Sequence, residues 1–136
     1  MINNKEILYI KQGNRESIIY NLNQKIIIDK TLTNLLNEWC LEELTTLDGR
    51  MEAIKTKFHF KKFVPIYINK ELMLMPTKGK KDIDNIYVNI VNILGVDKLD
   101  KKAVIRFRNQ TKLIVDIEYQ KLKKYYERSL KIYHSI

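Results

Sequence analysis

The side chains with the clearest chemical potential are the lysines and arginines of two short stretches. The first stretch sets five basic residues against the single acidic residue Glu52, and these are Arg50, Lys55, Lys57, Lys61 and Lys62. The second places Lys78, Lys80 and Lys81 around Gly79. Clustered cationic side chains neutralise phosphates and release the counterions that surround a nucleic acid. The sequence therefore predicts that these eight basic residues contact nucleic acid.

The composition of the whole chain agrees with an anionic partner. Lysine and arginine number 25 and aspartate and glutamate 16, which gives a formal charge of +9. Such a surface attracts nucleic acid most commonly, and anionic membranes or acidic proteins after it. Codons rich in A and T also favour lysine, asparagine and isoleucine, so charge alone does not separate a binding surface from a solvated one. A small protein-interaction module without direct DNA binding stays open as the alternative hypothesis.

Residues suited to catalysis or metal binding are few and poorly arranged. His59 lies between two phenylalanines, and neither it nor His134 has a nucleophile or carboxylate at triad spacing. The acidic pairs Asp82 with Asp84 and Asp97 with Asp100 match no calcium-binding or nuclease motif. We therefore expect no catalytic residue, no metal and no cofactor. A small nuclease would need His59 as its base, and it ranks last among the hypotheses.

Length and composition favour one domain spanning residues 1–136. The chain has 136 residues, of which 45% are hydrophobic, enough for one core and too few for two ordinary domains. Cys40 is the single cysteine, so no intramolecular disulfide can form. Neither a signal-peptide run nor a stretch of about 18 apolar residues occurs. These features predict a cytoplasmic protein with no membrane partner.

The elements that must position the basic residues are predicted to be hairpins and two helices. Short β-branched runs between residues 6 and 28, separated by turn-forming residues, predict a three-stranded meander. Leucines at helical spacing with Trp39 and Cys40 predict a helix near residues 31–46, which Asp48-Gly49 would end in a left-handed turn. Alternation near Phe58 favours a strand, although residues 51–57 could also extend a helix.

The second half of the chain predicts further strands and a last helix. A hairpin is expected at residues 64–68 and 72–75, and Pro65 favours a strand start or an edge strand. One strand is expected at residues 85–93, a charged loop at 95–102 and a hairpin at 103–108 and 111–115. An amphipathic helix with a cationic outer surface is expected near residues 117–134. The predicted fold class is thus α+β, with a mostly antiparallel sheet of several hairpins.

A collinear series of short motifs resembles the ComK family of competence transcription factors. The series runs Gly49-Arg50, Val64-Pro65-Ile66, Met75-Pro76-Thr77, Tyr87-Val88-Asn89 and the segment Val104 to Asn109, with Ile117, Tyr119, Leu122 and Arg128 in the last helix. The resemblance covers residues 45–130. The chain departs from the family pattern near Asn85, where the family has a cysteine, and near Lys62, where it has a histidine.

The resemblance implies a function and a set of partners. It implies a DNA-binding transcription activator without enzymatic activity that recognises paired A/T-rich boxes of double-stranded DNA, largely through the minor groove. It also implies a homo-oligomer. Family members bind a protease adaptor through a longer C-terminal tail, whereas this sequence stops at Ile136. We therefore do not expect the adaptor or protease partner here.

Overall fold

A six-stranded antiparallel sheet forms the centre of the protein. The computed structural model describes residues 2–79 and 81–136. The strands are β1 Ile7–Gln12, β2 Ser17–Asn21, β3 Lys25–Ile28, β4 Ile66–Asn69, β5 Leu72–Pro76 and β6 Ile86–Asn89. In space they follow the order β3, β2, β1, β6, β5, β4. The predicted N-terminal meander and the hairpin after Pro65 are therefore confirmed, and the hairpin strand β4 lies at one edge of the sheet.

A smaller sheet and three helices cover the two faces of the central sheet. The smaller sheet has the order β7 Ile93–Leu99, β8 Lys102–Phe107, β9 Lys112–Val115. The helices are α1 Leu32–Glu42, α2 Leu47–Phe58 and α3 Tyr119–Ser135. The α+β class, the hairpin of β8 and β9 and the last helix are confirmed. In the described part of the chain, no helix is long and apolar enough to cross a membrane.

Two hydrophobic cores lie on opposite faces of the central sheet. The first joins Met73, Met75 and Val88 of that sheet to side chains of the smaller sheet and of α3, such as Phe107 and Leu122. The second joins the other face to α1 through residues that include Ile10, Ile19, Leu36, Trp39 and Leu74. Leu72 to Met75 are completely buried because successive side chains of β5 enter alternate cores.

The predicted helix near residues 31–46 ends at Glu42, and a separate helix follows. Leu44 has a φ of 62°, in the left-handed region, and the chain then reverses. The hydroxyl of Thr46 accepts a hydrogen bond from the amide of Gly49 at 3.0 Å, which starts α2 at Leu47. The predicted left-handed exit at Asp48-Gly49 was therefore wrong, because both residues belong to the first turn of α2. The helical alternative for residues 51–57 is correct, and the strand near Phe58 is not present.

The charged segment from Gly95 to Lys102 is also not a loop. It forms most of β7 and the start of β8, with Val96 opposite Ile105 and Leu99 opposite Lys102. Charged side chains are compatible with these strands because much of β7 is exposed to solvent. The single strand expected at residues 85–93 is likewise divided into β6, a 3-10 turn at Ile90–Asn92 and β7.

Candidate nucleic-acid interface

One pocket of about 170 Å³ brings the two basic stretches together. Four of the predicted phosphate-binding residues line it, namely Lys55, Lys61, Lys62 and Lys78. The rest of the lining is Met51, Phe63, Val64, Pro76, Gly79 and Tyr87. We call this site the basic pocket. It forms at the end of the central sheet where β5 stops and β6 begins, beside α2.

Helix α2 contributes the first wall of the basic pocket. Met51 and Lys55 are four positions apart, so both project from the same face of the helix. Ile54 on the neighbouring face is buried in the first core, which fixes the rotation of α2 about its axis. Lys55 is consequently held at the rim while its charge remains exposed to solvent.

Residues 59–65, which we call the Phe60 loop, supply Lys61 and Lys62. The loop begins and ends near residues with left-handed backbone, since His59 has a φ of 61° and Phe63 a φ of 54°. His59 itself is exposed at the C-terminal end of α2. The phenylalanines of the loop turn inward, whereas the two lysines between them stay exposed. The loop therefore presents two adjacent cations on a short anchored segment.

Helix α3 holds the Phe60 loop through cations stacked on aromatic rings. The guanidinium of Arg128 lies 3.9 Å from the ring centroid of Phe60, and the ammonium of Lys121 lies 4.5 Å from that of Phe63. The ring of Tyr125 packs against Phe63 at 4.7 Å between centroids. Each cation–aromatic contact contributes about 0.5–2 kcal/mol. These contacts also bring the positive charge of α3 next to Lys61 and Lys62.

The segment after β5 is fixed by the buried side chain of Asn85. Its carboxamide oxygen accepts hydrogen bonds from the amides of Thr77 at 3.1 Å and Lys78 at 3.0 Å. Its amide nitrogen donates to the carbonyl of Gly79 at 3.2 Å. Because Asn85 is only 1% exposed, these bonds are shielded from water and hold Lys78 in place.

The four lysines of the basic pocket do not carry equal free charge. The ammonium of Lys78 lies 3.8 Å from a carboxylate oxygen of Asp116 and 4.0 Å from one of Asp84. Within residues 2–79 and 81–136, no carboxylate forms an ion pair with Lys55, Lys61 or Lys62. An anionic ligand would therefore compete with Asp84 and Asp116 for Lys78, and would meet the other three lysines without a competitor.

Arg50 is directed into the protein rather than toward the basic pocket. Its guanidinium donates hydrogen bonds to the hydroxyl of Thr45 at 2.8 Å and to the carbonyls of Tyr67 at 2.7 Å and Ile68 at 3.3 Å. These bonds tie α2 to the edge strand β4. The Nε and Nη1 donors of Arg50 are thus used within the fold.

The remaining candidate residues lie outside the pocket lining. Lys57 is exposed on α2, with its ammonium 5.4 Å from the ring centroid of Phe58. Lys81 is exposed in the turn before β6. Lys80 lies outside the described residues, so its predicted contact is neither supported nor opposed by the geometry. The structure thus groups four of the eight predicted residues.

Sequence reasoning left the cations of α3 out of the candidate set. Lys121 and Arg128 adjoin the Phe60 loop, and Lys124 lies next to Arg128 along the exposed face of the helix. The cationic outer surface of this helix was the signal that could have included them. Arg106 does not line the basic pocket, and its side chain is paired with Asp97 at 2.5 Å.

The fold and the pocket together define a small α+β protein with a cluster of cations at one end of its central sheet. The family model described as "ComK protein" matches residues 2–136. The chain therefore belongs to the ComK family, whose members are competence transcription factors and not enzymes. The match extends beyond residues 45–130, where the motifs of the resemblance are found. Neither the curated proteins nor the solved structures compared with the chain gave a significant match.

Proposed function

We propose that this protein is a transcription activator that binds double-stranded DNA through the basic pocket and the adjoining cations of α3. The observation that carries the proposal is the convergence of Lys55, Lys61, Lys62 and Lys78, which come from three separate segments, around one pocket. Three of these ammonium groups have no ion-pair partner in the described part of the chain, so phosphates are the natural counter-charge. The whole chain acts as one DNA-binding domain in the cytoplasm.

The preferred DNA is A/T-rich and is contacted largely in the minor groove. Membership of the ComK family supports this target class. Physical chemistry supports it as well, because the minor groove of an A-tract is narrow and its enhanced negative potential attracts lysine and arginine. Lys61 and Lys62 of the Phe60 loop are exposed at the pocket and can follow such a groove. Paired boxes would be occupied by a homo-oligomer.

Salt-dependent binding tests the proposal. Fluorescence anisotropy would compare an A/T-box duplex with a G/C-rich duplex of equal length at two salt concentrations. Four phosphate contacts correspond to a slope of about −3.6 in a plot of log affinity against log salt, or about a hundredfold loss of affinity between 50 and 200 mM. A flat salt response would contradict phosphate binding. Equal affinity for both duplexes would contradict the A/T preference and leave phosphate binding intact.

A further inference from the structure

The floor of the basic pocket is apolar, although its rim is cationic. Met51, Phe63, Val64 and Pro76 line the pocket, and Val64 and Pro76 are buried. A phosphate placed on such a floor would lose hydration without gaining donors, which is unfavourable for a charged group. The pocket therefore suits a ligand that is apolar where it touches the floor and anionic where it meets the lysines.

Tyr87 adds a polar group to this lining. Only 8% of its surface is exposed, and its hydroxyl forms no hydrogen bond with any residue in 2–79 or 81–136. In that part of the chain, the hydroxyl of Ser129 is the one side-chain polar atom that is both fully buried and without a hydrogen-bond partner. The Tyr87 hydroxyl also has no partner there, so it is not fully buried and still contacts solvent. Since Tyr87 lines the pocket, this hydroxyl is available to a ligand there. A tyrosine hydroxyl is protonated at neutral pH, and burial raises the pKa of Tyr87 further.

The pocket is smaller than sites that enclose a whole small molecule. Sites that enclose whole small molecules occupy about 300–1,000 Å³, and this pocket measures about 170 Å³. A ligand seated here would extend beyond the mouth, across Lys61 and Lys62. A DNA strand can extend in this way, because its sugars and bases repeat between phosphates.

Of the two uncharged parts of a nucleotide, the sugar matches the lining better than the base. A base taken out of the stack costs a few kcal/mol and brings several donors and acceptors that need partners. The apolar floor offers such a base no hydrogen bond, so the base would depend on the Tyr87 hydroxyl and on the rim lysines, which donate but do not accept. A deoxyribose needs no unstacking, presents mostly carbon and has a phosphate on each side.

We propose that the basic pocket holds one deoxyribose of a bound DNA strand, with the two flanking phosphates on the rim lysines and the Tyr87 hydroxyl donating to an oxygen of the backbone. This inference rests on the proposed DNA binding. It adds discrimination between nucleic acids, because a ribose would press its 2′-hydroxyl against carbon atoms that offer it no hydrogen bond. The pocket would therefore select DNA over RNA without reading sequence.

Gly79 is a position in the pocket lining where a side chain can be added without changing any charge. It lines the pocket, its φ is not positive, and a Cβ added there meets no atom within 4 Å among the described residues other than its chain neighbours. Gly79→Leu therefore places a side chain at the pocket while every lysine remains. Gly79→Ala is the matched control of smaller volume, and circular dichroism with thermal melting confirms that both variants fold.

The experiment combines these variants with a chemical scan of the DNA. Anisotropy is measured on duplexes that carry either one 2′-O-methyl sugar or one abasic sugar at each position in turn. We expect Gly79→Leu to lower DNA affinity at least tenfold with the salt slope unchanged, and Gly79→Ala to have a smaller effect. We also expect at least one position where the 2′-O-methyl group weakens binding about tenfold and the abasic sugar does not.

Each contrary result has a separate meaning. Wild-type affinity in Gly79→Leu would show that the pocket is empty in the complex and would overturn the inference. An abasic sugar that weakens binding more than a 2′-O-methyl sugar would place a base there and overturn it as well. In both cases salt-dependent DNA binding by the unaltered protein would still stand. Absence of that binding would instead refute the proposed function.

Discussion

Arg50 and Lys55 lie five residues apart on α2, and their substitution should change different properties of the protein. Arg50 donates two short hydrogen bonds, to Tyr67 at 2.7 Å and to Thr45 at 2.8 Å, and a longer one to Ile68 at 3.3 Å. Hydrogen bonds from charged groups contribute about 1.5–3 kcal/mol each. Allowing for partial exposure and for the weak third bond, Arg50→Ala should lower the free energy of unfolding by about 3 kcal/mol.

A loss of this size is readily measured. For a chain of this length it corresponds to a fall in Tm of about 10 °C, since each kcal/mol changes Tm by a few degrees. Lys55→Ala should change stability by less than about 0.5 kcal/mol because Lys55 is exposed. It should instead reduce the magnitude of the salt slope of DNA binding by about 1.

Thermal melting and salt-dependent anisotropy on the same variants give the decisive comparison. Arg50→Lys serves as the control, because it keeps the charge and removes the planar fork that reaches two carbonyls. We expect it to be destabilised nearly as much as Arg50→Ala and to keep the wild-type salt slope. An Arg50→Ala protein with wild-type Tm and a reduced salt slope would refute the internal role of Arg50 and restore it as a phosphate contact.

Three further predictions concern the loop contacts, the competing carboxylates and alkaline pH. Arg128→Ala removes the cation stacked on the Phe60 loop and should weaken DNA binding about fivefold, whereas Arg128→Lys should recover part of the affinity. An Arg128→Ala protein with wild-type affinity in anisotropy titrations would contradict this role. Asp116→Asn removes a carboxylate 3.8 Å from Lys78, so DNA affinity should rise severalfold in the same assay, and a fall would count against phosphate contact by Lys78. Burial raises the pKa of Tyr87 above its ordinary value of 10.0, so the unfolded chain releases this proton first as pH rises. The contribution of Tyr87 to the free energy of unfolding should therefore be constant below pH 10 and decrease above it. Tyr87→Phe should make the decrease of Tm with rising pH less steep. A variant whose Tm depends on pH as the wild type does would contradict the raised pKa of Tyr87.

The sequence predicted the helices and strands whose apolar residues recur with the periodicity that their buried face requires. The meander of residues 6–28 was recognisable because β-branched runs alternate with turn residues, and α3 because apolar and cationic residues recur at helical spacing. The break between α1 and α2 was not predicted. Leu44 adopts a left-handed backbone and is 93% exposed, and nothing in its residue type announces either property.

The strand β7 was missed because its charged residues are typical of a loop, and the sequence does not show which strands are exposed to solvent. Charged residues between Gly95 and Lys102 suggested a loop, whereas the outer half of this strand faces solvent and tolerates them. Its identity as a strand depends on pairing with β8, which local composition does not reveal.

Local charge density identified the basic pocket only in part. It grouped neighbouring lysines correctly, but convergence in space depends on distant contacts. The carbonyls that bind Arg50 belong to residues 17 and 18 positions further along the chain. The cations of α3 lie near Lys61 and Lys62 because they stack on aromatic rings of the Phe60 loop. Arg128, for example, contacts Phe60, which is far from Arg128 in sequence. Both effects depend on tertiary packing rather than on any motif.

The central claim, that DNA phosphates are bound at the basic pocket, is tested most directly by the salt slope of matched double variants. Lys61→Gln with Lys62→Gln removes two charges from the pocket, whereas Lys5→Gln with Lys25→Gln removes two exposed charges that do not line it. Both proteins have the same net charge. We predict a slope reduced in magnitude by about 2 in the first variant and close to the wild-type slope in the second. Equal slopes in the two variants would contradict the claim, because binding would then depend on overall charge rather than on this site.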